Sequence, residues 1–179
     1  HAEMIEVAER LWNYSQRYGF SRHQPQHYVD DVSYALYALD RHDEIPIWLE
    51  RLEQWWQGLD PEEQAEQRPS YMQSLLYVLR QMAWSHPADA LARVRPYEAE
   101  VRSSLDPGWQ QRLGYIHHCA GEFEQAQALY DNALKLGDPR DPAVQRQHQV
   151  VRDSIESMHQ SDGYKAWRRS QRPWWKPWG

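Results

Sequence analysis

Residues 109–139, WQQRLGYIHHCAGEFEQAQALYDNALKLGDP, decide the fold of this chain. Apolar residues recur every three or four positions in both halves of this stretch, which is the period of an amphipathic helix. They are Trp109, Leu113, Ile116 and Ala120 in the first half, and Phe123, Ala126, Tyr130 and Ala133 in the second. Gly121 stands between the halves, where a tight turn favours a residue without a Cβ atom. The stretch therefore predicts two helices joined by a turn.

The same helical period extends outward along most of the chain. It is found over residues 2–18, 27–42, 44–59, 70–85 and 141–160. No run alternates with the period of two that a half-buried strand requires. The sequence therefore predicts an all-α protein.

Short polar residues and prolines mark the predicted helix ends. Ser70 and Asp141 are expected N-caps, and Pro87 and Pro142 suit the first turn of a helix. Pro96 lies inside a predicted helix at 87–105 and is expected to kink it, because proline removes one backbone hydrogen bond.

Three Asp-Pro dipeptides, at 60–61, 106–107 and 138–139, are each expected to close a helix. The reason is that the residue before a proline is pushed out of the α region. Between these ends, tight turns are predicted near Asp43, His86 and Gly121. The chain then contains three helix–turn–helix units, flanked by single helices at 2–18 and 141–160; the units are 27–59, 70–105 and 108–137.

The third unit resembles a tetratricopeptide repeat, whose pattern is W-x2-L-G-x2-Y, then A-x3-F, then P. Leu113-Gly114 matches the Leu-Gly pair of the pattern, and Ala126 with Tyr130 matches the small residue and the aromatic residue of the second helix. Repeats of this family also carry a turn glycine, an aromatic residue and a late alanine, present here as Gly121, Phe123 and Ala133.

The third unit also departs from the pattern at three positions. Trp109 lies one residue early, His117 replaces the tyrosine, and Pro139 lies one residue late. The units at 27–59 and 70–105 match the family only in the spacing of their apolar residues and turns. The resemblance is therefore specific over about 32 residues.

The resemblance implies a short right-handed solenoid of antiparallel helix pairs, with a concave groove that binds a peptide or a protein. Gly114 and Ala126 are expected to let two helices approach closely, with Tyr130 beside them. In such solenoids the first helix of each pair lines the groove. The helical wheel places these side chains opposite the apolar stripes: Ser33, Tyr37, Arg41, Gln73, Tyr77, Arg80, Trp84, Gln111, Tyr115 and His118. Tyr, Trp and Arg are enriched in protein interfaces, whereas the alternative is an ordinary polar outer face.

Charge is unevenly distributed along the chain. The net charge is -6, but residues 163–179 carry five basic residues and no acid, which leaves -11 on residues 1–162. Nucleic-acid binding needs a basic surface, so no nucleic-acid partner is expected. We divide the chain into a helical repeat domain, 1–162, and a basic tail rich in Trp and Pro, 163–179.

The tail is expected to act as an anchor, because exposed tryptophans are a liability in water. Pro173 and Pro177 favour an extended, polyproline-like course. Its anchoring side chains are Trp167, Arg168, Arg169, Arg172, Trp174, Trp175, Lys176 and Trp178. Three partners stay open: an acidic protein surface in cis or in trans, a different partner protein, and the surface of an anionic membrane.

The histidines do not form a recognisable metal site. His117 and His118 are adjacent on one helix and point about 100° apart, so they cannot share one metal ion. His23 and His27 lie on either side of Pro25 in a predicted loop, and no carboxylate spacing completes a site there.

The other reactive residues also have structural interpretations. The paired acids at 30–31 and 62–63 suit the starts of helices, where negative charge is favourable. Cys119 is the single cysteine and is interpreted as a small packing residue. The sequence therefore predicts a protein that is not an enzyme and needs no metal or cofactor.

These observations favour a protein–protein interaction module, acting as an adaptor, a scaffold or an assembly factor. Two alternatives are a permanent structural subunit of a larger, membrane-bound or soluble complex, and a chaperone for secreted proteins. A single cysteine fits a reducing compartment, so the cytoplasm is favoured, although localisation stays open. Because the chain begins at His1 and not at Met, a leader or an upstream domain is a further alternative.

Overall fold

The computed structural model describes residues 1–20 and 24–171, which form helices joined by short turns. The α-helices are α1 Ala2–Tyr18, α2 Val29–Ala38, α3 Ile45–Gln57, α4 Pro61–Met82, α5 Pro87–Val94, α6 Glu98–Ser103, α7 Pro107–Cys119, α8 Phe123–Ala133, α9 Pro142–Gln160 and α10 Asp162–Ser170. Short 3₁₀ helices lie at Pro25–His27, His42–Glu44 and Arg95–Tyr97. The described residues contain no strand, so the prediction of an all-α protein is confirmed. None of the described helices has the length and apolar character needed to cross a membrane.

Several predicted helix boundaries are confirmed. Asp141 caps α9, where its carboxylate accepts a hydrogen bond from the Ala143 amide at 2.7 Å. Pro87 begins α5, and Pro96 lies in the 3₁₀ turn that separates α5 from α6, which is the predicted kink. The chain divides into two compact units, His1–Arg93 and Val94–Gly179.

The start of α4 differs from the prediction, because Ser70 is not an N-cap. The helix begins nine residues earlier, at Pro61, and continues through Pro69. Asp60 is its cap: the Asp60 carboxylate accepts from the amides of Glu62 and Glu63, and the Glu63 side chain accepts from the Asp60 amide. An Asp-Pro dipeptide therefore begins the next helix as well as ending the previous one, since Asp is a favoured N-cap and Pro a favoured first residue.

The first unit is built on α2, which packs against α1, α3 and α4. Trp48 of α3 is buried at its centre. The Arg51 guanidinium carbon lies 4.3 Å from the Trp48 ring centroid and 5.3 Å from that of Trp12 on α1. Arg51 Nη1 also donates to Glu9 Oε1 at 2.8 Å. We call these four residues the arginine clamp; it joins α1 to α3.

The second unit is built on the hairpin of α7 and α8 that the sequence predicts. At Gly114, a Cβ atom would lie only 2.7 Å from Tyr130 Cε1, so the two helices approach as closely as glycine allows. The predicted packing of Gly114 against Tyr130 is confirmed. Gly121 makes the turn with a φ of 79°, a conformation that favours glycine. Helix α9 then packs against both α7 and α8, and α10 packs against α9.

The first part of the predicted extended tail is helical. Residues 162–170 form α10, and the Ser161 hydroxyl caps it by accepting from the Tyr164 amide at 3.2 Å. Tyr164 and Trp167 pack against the buried cluster of the second unit that includes Phe123. The extended prediction is therefore wrong over this stretch, because the prolines that favour an extended course come only at positions 173 and 177.

Candidate binding surfaces

The second half of α4 leaves only one narrow line of side chains at the surface. From Tyr71 to Ala83 every residue is buried except Gln73, Tyr77 and Arg80. These three positions lie on one face of the helix, and the exposed Trp84 follows them in the same register. We call Gln73, Tyr77, Arg80 and Trp84 the α4 stripe. The structure thus places four of the sequence-predicted groove residues on one surface.

The residues predicted on α2 have different positions. Ser33 is fully buried and its hydroxyl donates to the Asp30 carbonyl at 2.9 Å, so its predicted exposure is wrong. The reason is that α2 has packed neighbours on three sides, which extends its buried face beyond one apolar stripe. Tyr37 is half-buried, with its ring 5.2 Å from that of His42. Arg41 lies in the turn after α2 and forms two hydrogen bonds with the Glu44 carboxylate, at 2.6 and 2.7 Å.

In the second unit, α7 carries a comparable line of side chains. Trp109, Arg112, Tyr115 and His118 are the half-buried residues of one face, and we call them the α7 stripe. Sequence reasoning missed Trp109, which it assigned to the apolar face, and Arg112. The sequence does contain a pattern that could have identified them. Trp109, Arg112 and Tyr115 follow the order aromatic, Arg, aromatic, which also occurs at Tyr77, Arg80 and Trp84.

Gln111 does not belong to this surface. It is buried, and its amide donates to Ser154 Oγ on α9 at 2.9 Å. The prediction of an exposed Gln111 is therefore wrong, because α9 covers the side of α7 that a two-helix unit would leave open.

No family model, curated protein or solved structure matches this chain.

His117, beside the α7 stripe, is the buried centre of an ionic network that the sequence did not indicate. Its Nδ1 lies 2.7 Å from Glu122 Oε2 and its Nε2 lies 3.2 Å from Glu98 Oε1. Arg102 pairs with Glu98 at 2.6 Å and Arg95 pairs with Glu122 at 3.1 Å. Burial alone would raise the pKa of Glu98, but the hydrogen bonds and charges of Arg102 and His117 hold that pKa below its usual value. The contacts of Glu98 with His117 and of Arg95 with Glu122 join residues far apart in sequence, so no local pattern shows them.

His118 has a different environment from its neighbour. Its ring lies 5.9 Å from that of Tyr115 and 6.1 Å from that of Phe123, both as centroid distances. Burial lowers the pKa of His118, because the charged imidazolium loses solvation there. The two histidines therefore face separate surroundings, and the described residues include no group of three or more His, Cys, Asp or Glu side chains arranged to hold a metal ion.

The depressed pKa of His118 predicts a loss of stability in mild acid. Above pH about 6.5 the imidazole is neutral in both the folded and the unfolded chain, and its stabilising contribution is complete. As the pH falls below that value, the unfolded chain takes up the proton first, so the free energy of unfolding decreases until the folded pKa is passed. Urea unfolding of wild type and His118→Gln at pH 7.5 and 5.5 measures this; the variant is expected to lose less stability. Equal losses in both proteins would contradict the assignment.

The predicted tail anchors divide between described and undescribed residues. Trp167 lies against Phe123 with ring centroids 5.8 Å apart, while Arg168 and Arg169 are exposed in the last turn of α10. The remaining predicted anchors lie outside the described residues: Arg172, Trp174, Trp175, Lys176 and Trp178. Of the histidines considered for metal binding, His23 also lies outside them, and His27 is exposed.

Proposed function

We propose that this protein is a polypeptide-binding module, a short right-handed solenoid of the tetratricopeptide type that acts as an adaptor, scaffold or assembly factor. The α7–α8 hairpin supports the repeat assignment, since Gly114 and Tyr130 make the close helix contact that the Leu-Gly position of the family implies. The packing of α2 on α4, the first helices of successive predicted units, agrees with stacked pairs. In this proposal the protein binds and does not catalyse.

The observation that carries the proposal is the composition of the α4 stripe. From Tyr71 to Ala83 the chain is buried apart from Gln73, Tyr77 and Arg80, so Tyr77 and Arg80 project from a packed part of α4 and Trp84 follows directly after it. Side chains held in this way lose little conformational freedom on binding, which favours affinity. Tyr, Trp and Arg are also the residue types that most often dominate binding energy at interfaces. The α7 stripe repeats this composition in the second unit.

A peptide selection tests the α4 stripe directly. A displayed library of random peptides is selected on the full chain, and the strongest binder is synthesised with a fluorophore for anisotropy titration. Tyr77→Ala and Arg80→Ala are each expected to weaken binding at least tenfold, since truncating a dominant interface residue costs about 1.4 kcal/mol or more. The matched controls are Tyr18→Ala and Arg152→Ala, exposed residues on α1 and α9, which are expected to change binding less than twofold. A peptide that binds all four variants equally contradicts the stripe as the binding surface.

The structural-subunit alternative predicts a different behaviour of the purified chain. Analytical ultracentrifugation of the purified chain separates the alternatives: a stable monomer or dimer supports the adaptor, and aggregation without partners supports the subunit.

In this proposal the C-terminal segment is an anchor. A deletion that tests this role should begin after α10. Removing residues from 163 onward would also remove Tyr164 and Trp167, which pack on the second unit. Deletion of 172–179 leaves α10 intact. The deletion is expected to change partner binding, oligomeric state or membrane association, and no change in any of the three would remove the anchor role.

A further inference from the structure

Helix α1 has a second apolar line besides the face that packs in the first unit. The packed face consists of Ile5, Ala8, Trp12 and Ser15, which are buried. The second line lies about 100° around the helix and consists of Met4, Val7, Leu11 and Tyr14. Three of these side chains are 40 to 53% exposed in the described structure, and Leu11 is half-buried. We call these four residues the α1 seam.

The α1 seam has the spacing of a coiled-coil interface. Its residues are separated by three, four and three positions, which is the a and d pattern of a heptad repeat. A helix with this pattern packs its a and d side chains between those of a second helix. From Met4 to Tyr14 the helix rises about 15 Å at 1.5 Å per residue. The spacing therefore fits another amphipathic helix of similar length.

A groove with a volume of about 470 Å³ lies along the seam, between α1 and α2. Met4, Val7 and Leu11 belong to its lining, so the seam is one wall of a concave surface. The charged residues of the lining are mixed in sign, since Glu3 and Asp31 are acidic and His1 is basic. The groove therefore favours apolar side chains and does not select an occupant of one strong charge.

One flank of the seam carries opposite charges at its two ends. Glu3 lies in the first turn of α1 and Arg17 in the last, and both side chains are exposed. The two positions are two heptads apart and so lie on the same flank. Neither residue forms an ion pair with another described residue. Arg10, midway along this flank, pairs with Glu6 of its own helix.

We propose that the α1 seam binds a second copy of this chain, through an antiparallel pair of α1 helices related by a two-fold axis. The axis passes between Val7 and Leu11. Val7 of each copy then packs on Leu11 of the other, and Met4 of each copy packs on Tyr14 of the other. The same surface serves both copies, as a closed dimer requires. This inference goes beyond the proposed function and does not involve the α4 stripe.

The charges on the flank favour the antiparallel direction. With the two-fold axis at this place, position 3 of one copy lies within about 3 Å, along the helix axis, of position 17 of the other. Glu3 and Arg17 therefore form an ion pair at each end of the seam. A parallel pair would instead bring Glu3 beside Glu3 and Arg17 beside Arg17. The antiparallel pair also places opposite ends of the two helix dipoles side by side.

Sedimentation equilibrium of the full chain tests the seam. The seam is short, and interfaces that bury less than about 1,200 Å² belong to weak complexes, so the protein is measured from about 10 to about 500 µM. The wild type is expected to pass from monomer towards dimer over this range. Val7→Arg is expected to weaken the dimer at least tenfold, because each dimer would bury two unpaired charges between its helices.

The matched control is Val150→Arg on α9, since Val150 is 49% exposed and Val7 is 48% exposed. It is expected to leave the dissociation constant of the dimer unchanged. Met4→Lys is the second seam variant, used if Val7→Arg lowers the melting temperature.

A charge exchange tests the direction of the helices. At about 0.05 M salt, Glu3→Arg and Arg17→Glu are each expected to weaken the dimer several-fold, because like charges then meet at both ends of the seam. The double variant exchanges the two charges and is expected to restore the wild-type dissociation constant. Glu124→Arg, an exposed acid in the first turn of α8, is the control and is expected to have no effect. Salt at about 0.5 M is expected to reduce the differences between these variants.

Three outcomes overturn the inference. A chain that stays monomeric over the whole concentration range leaves the seam to a different partner. A dimer that Val7→Arg and Met4→Lys both leave unchanged places the contact on another surface. A double charge variant that dimerises no better than the single variants contradicts the antiparallel pair. None of these outcomes affects peptide binding by the α4 stripe, which is measured separately.

Discussion

Gly114→Val is expected to lower the free energy of unfolding by about 3 kcal/mol, at the upper end of the usual cost of overpacking a core. A Cβ atom at position 114 would lie 2.7 Å from Tyr130 Cε1 and 2.9 Å from Cδ1. Tyr130 is fully buried, so its ring has no space into which to turn. The extra atoms must then separate α7 from α8 and loosen the contacts of the whole hairpin. Urea unfolding followed by circular dichroism measures the loss.

Gly114→Ala tests the close helix contact by whether it raises or lowers the free energy of unfolding. In an unobstructed helix interior, replacing glycine by alanine stabilises by about 1 kcal/mol, so a destabilised variant reveals the steric conflict with Tyr130. Gly58→Ala, at the C-cap of α3, is the sterically open control, because a Cβ atom there meets only the carbonyl oxygens of Trp55 and Gln54 at 3.4 and 3.5 Å. We expect Gly58→Ala to be neutral or stabilising. The double variant Gly114→Ala with Tyr130→Leu is expected to lose less stability than the two single losses added together. A stabilising Gly114→Ala would show that the helices are not in close contact.

Arg51→Ala is expected to cost about 2 to 3 kcal/mol of stability, less than a fully buried ion pair loses when one partner is removed. Arg51 has only 19% of its side chain exposed and contacts Trp48 and Trp12 through its guanidinium plane while it pairs with Glu9. Its removal leaves a gap between two indole rings and a carboxylate without its partner. The loss combines cation–π attraction, ion pairing and packing of the aliphatic stem.

Arg10→Ala is the control for Arg51→Ala. Arg10 pairs with Glu6 on the surface of α1, and its side chain is 74% exposed. Exposed pairs of this kind contribute little, and we expect a change of about 0.5 kcal/mol or less. Arg51→Lys keeps the charge without the planar group and is expected to fall between the two. If Arg51→Ala and Arg10→Ala lose the same amount, the arginine clamp has no special role in the first unit.

The hairpin of α7 and α8 was predictable because its signals are local. Gly114, Gly121 and Tyr130 each act on neighbours within twenty residues, and the apolar period is continuous on both sides of the turn. The first half of α4 was missed for the opposite reason. Residues 61–70 are exposed or half-buried throughout, so they show no apolar period, and the capping box at Asp60 supports the helix instead.

Whether a predicted surface residue is buried depends on neighbouring helices, and the helical wheel of a single helix does not show them. Ser33 and Gln111 lie opposite an apolar stripe, as predicted, yet packed neighbours cover that face as well. Gln73, Tyr77 and Arg80 are half-buried and Trp84 is exposed, so this line keeps part of its predicted exposure. A single helix can indicate which face is apolar, whereas the number of faces that become covered is a property of the assembled unit.

The order in which the helices pack has a consequence for how the protein forms. Within each unit, helices contact those that are next or next but one along the chain, as with α7, α8 and α9. Contacts between segments that are close in sequence lose little entropy on loop closure, and chains dominated by such contacts fold rapidly. During synthesis on the ribosome, the first unit can therefore complete its own contacts before α9 has been translated. Nascent chains of this protein would then expose few unpaired apolar surfaces to the cell while elongation continues.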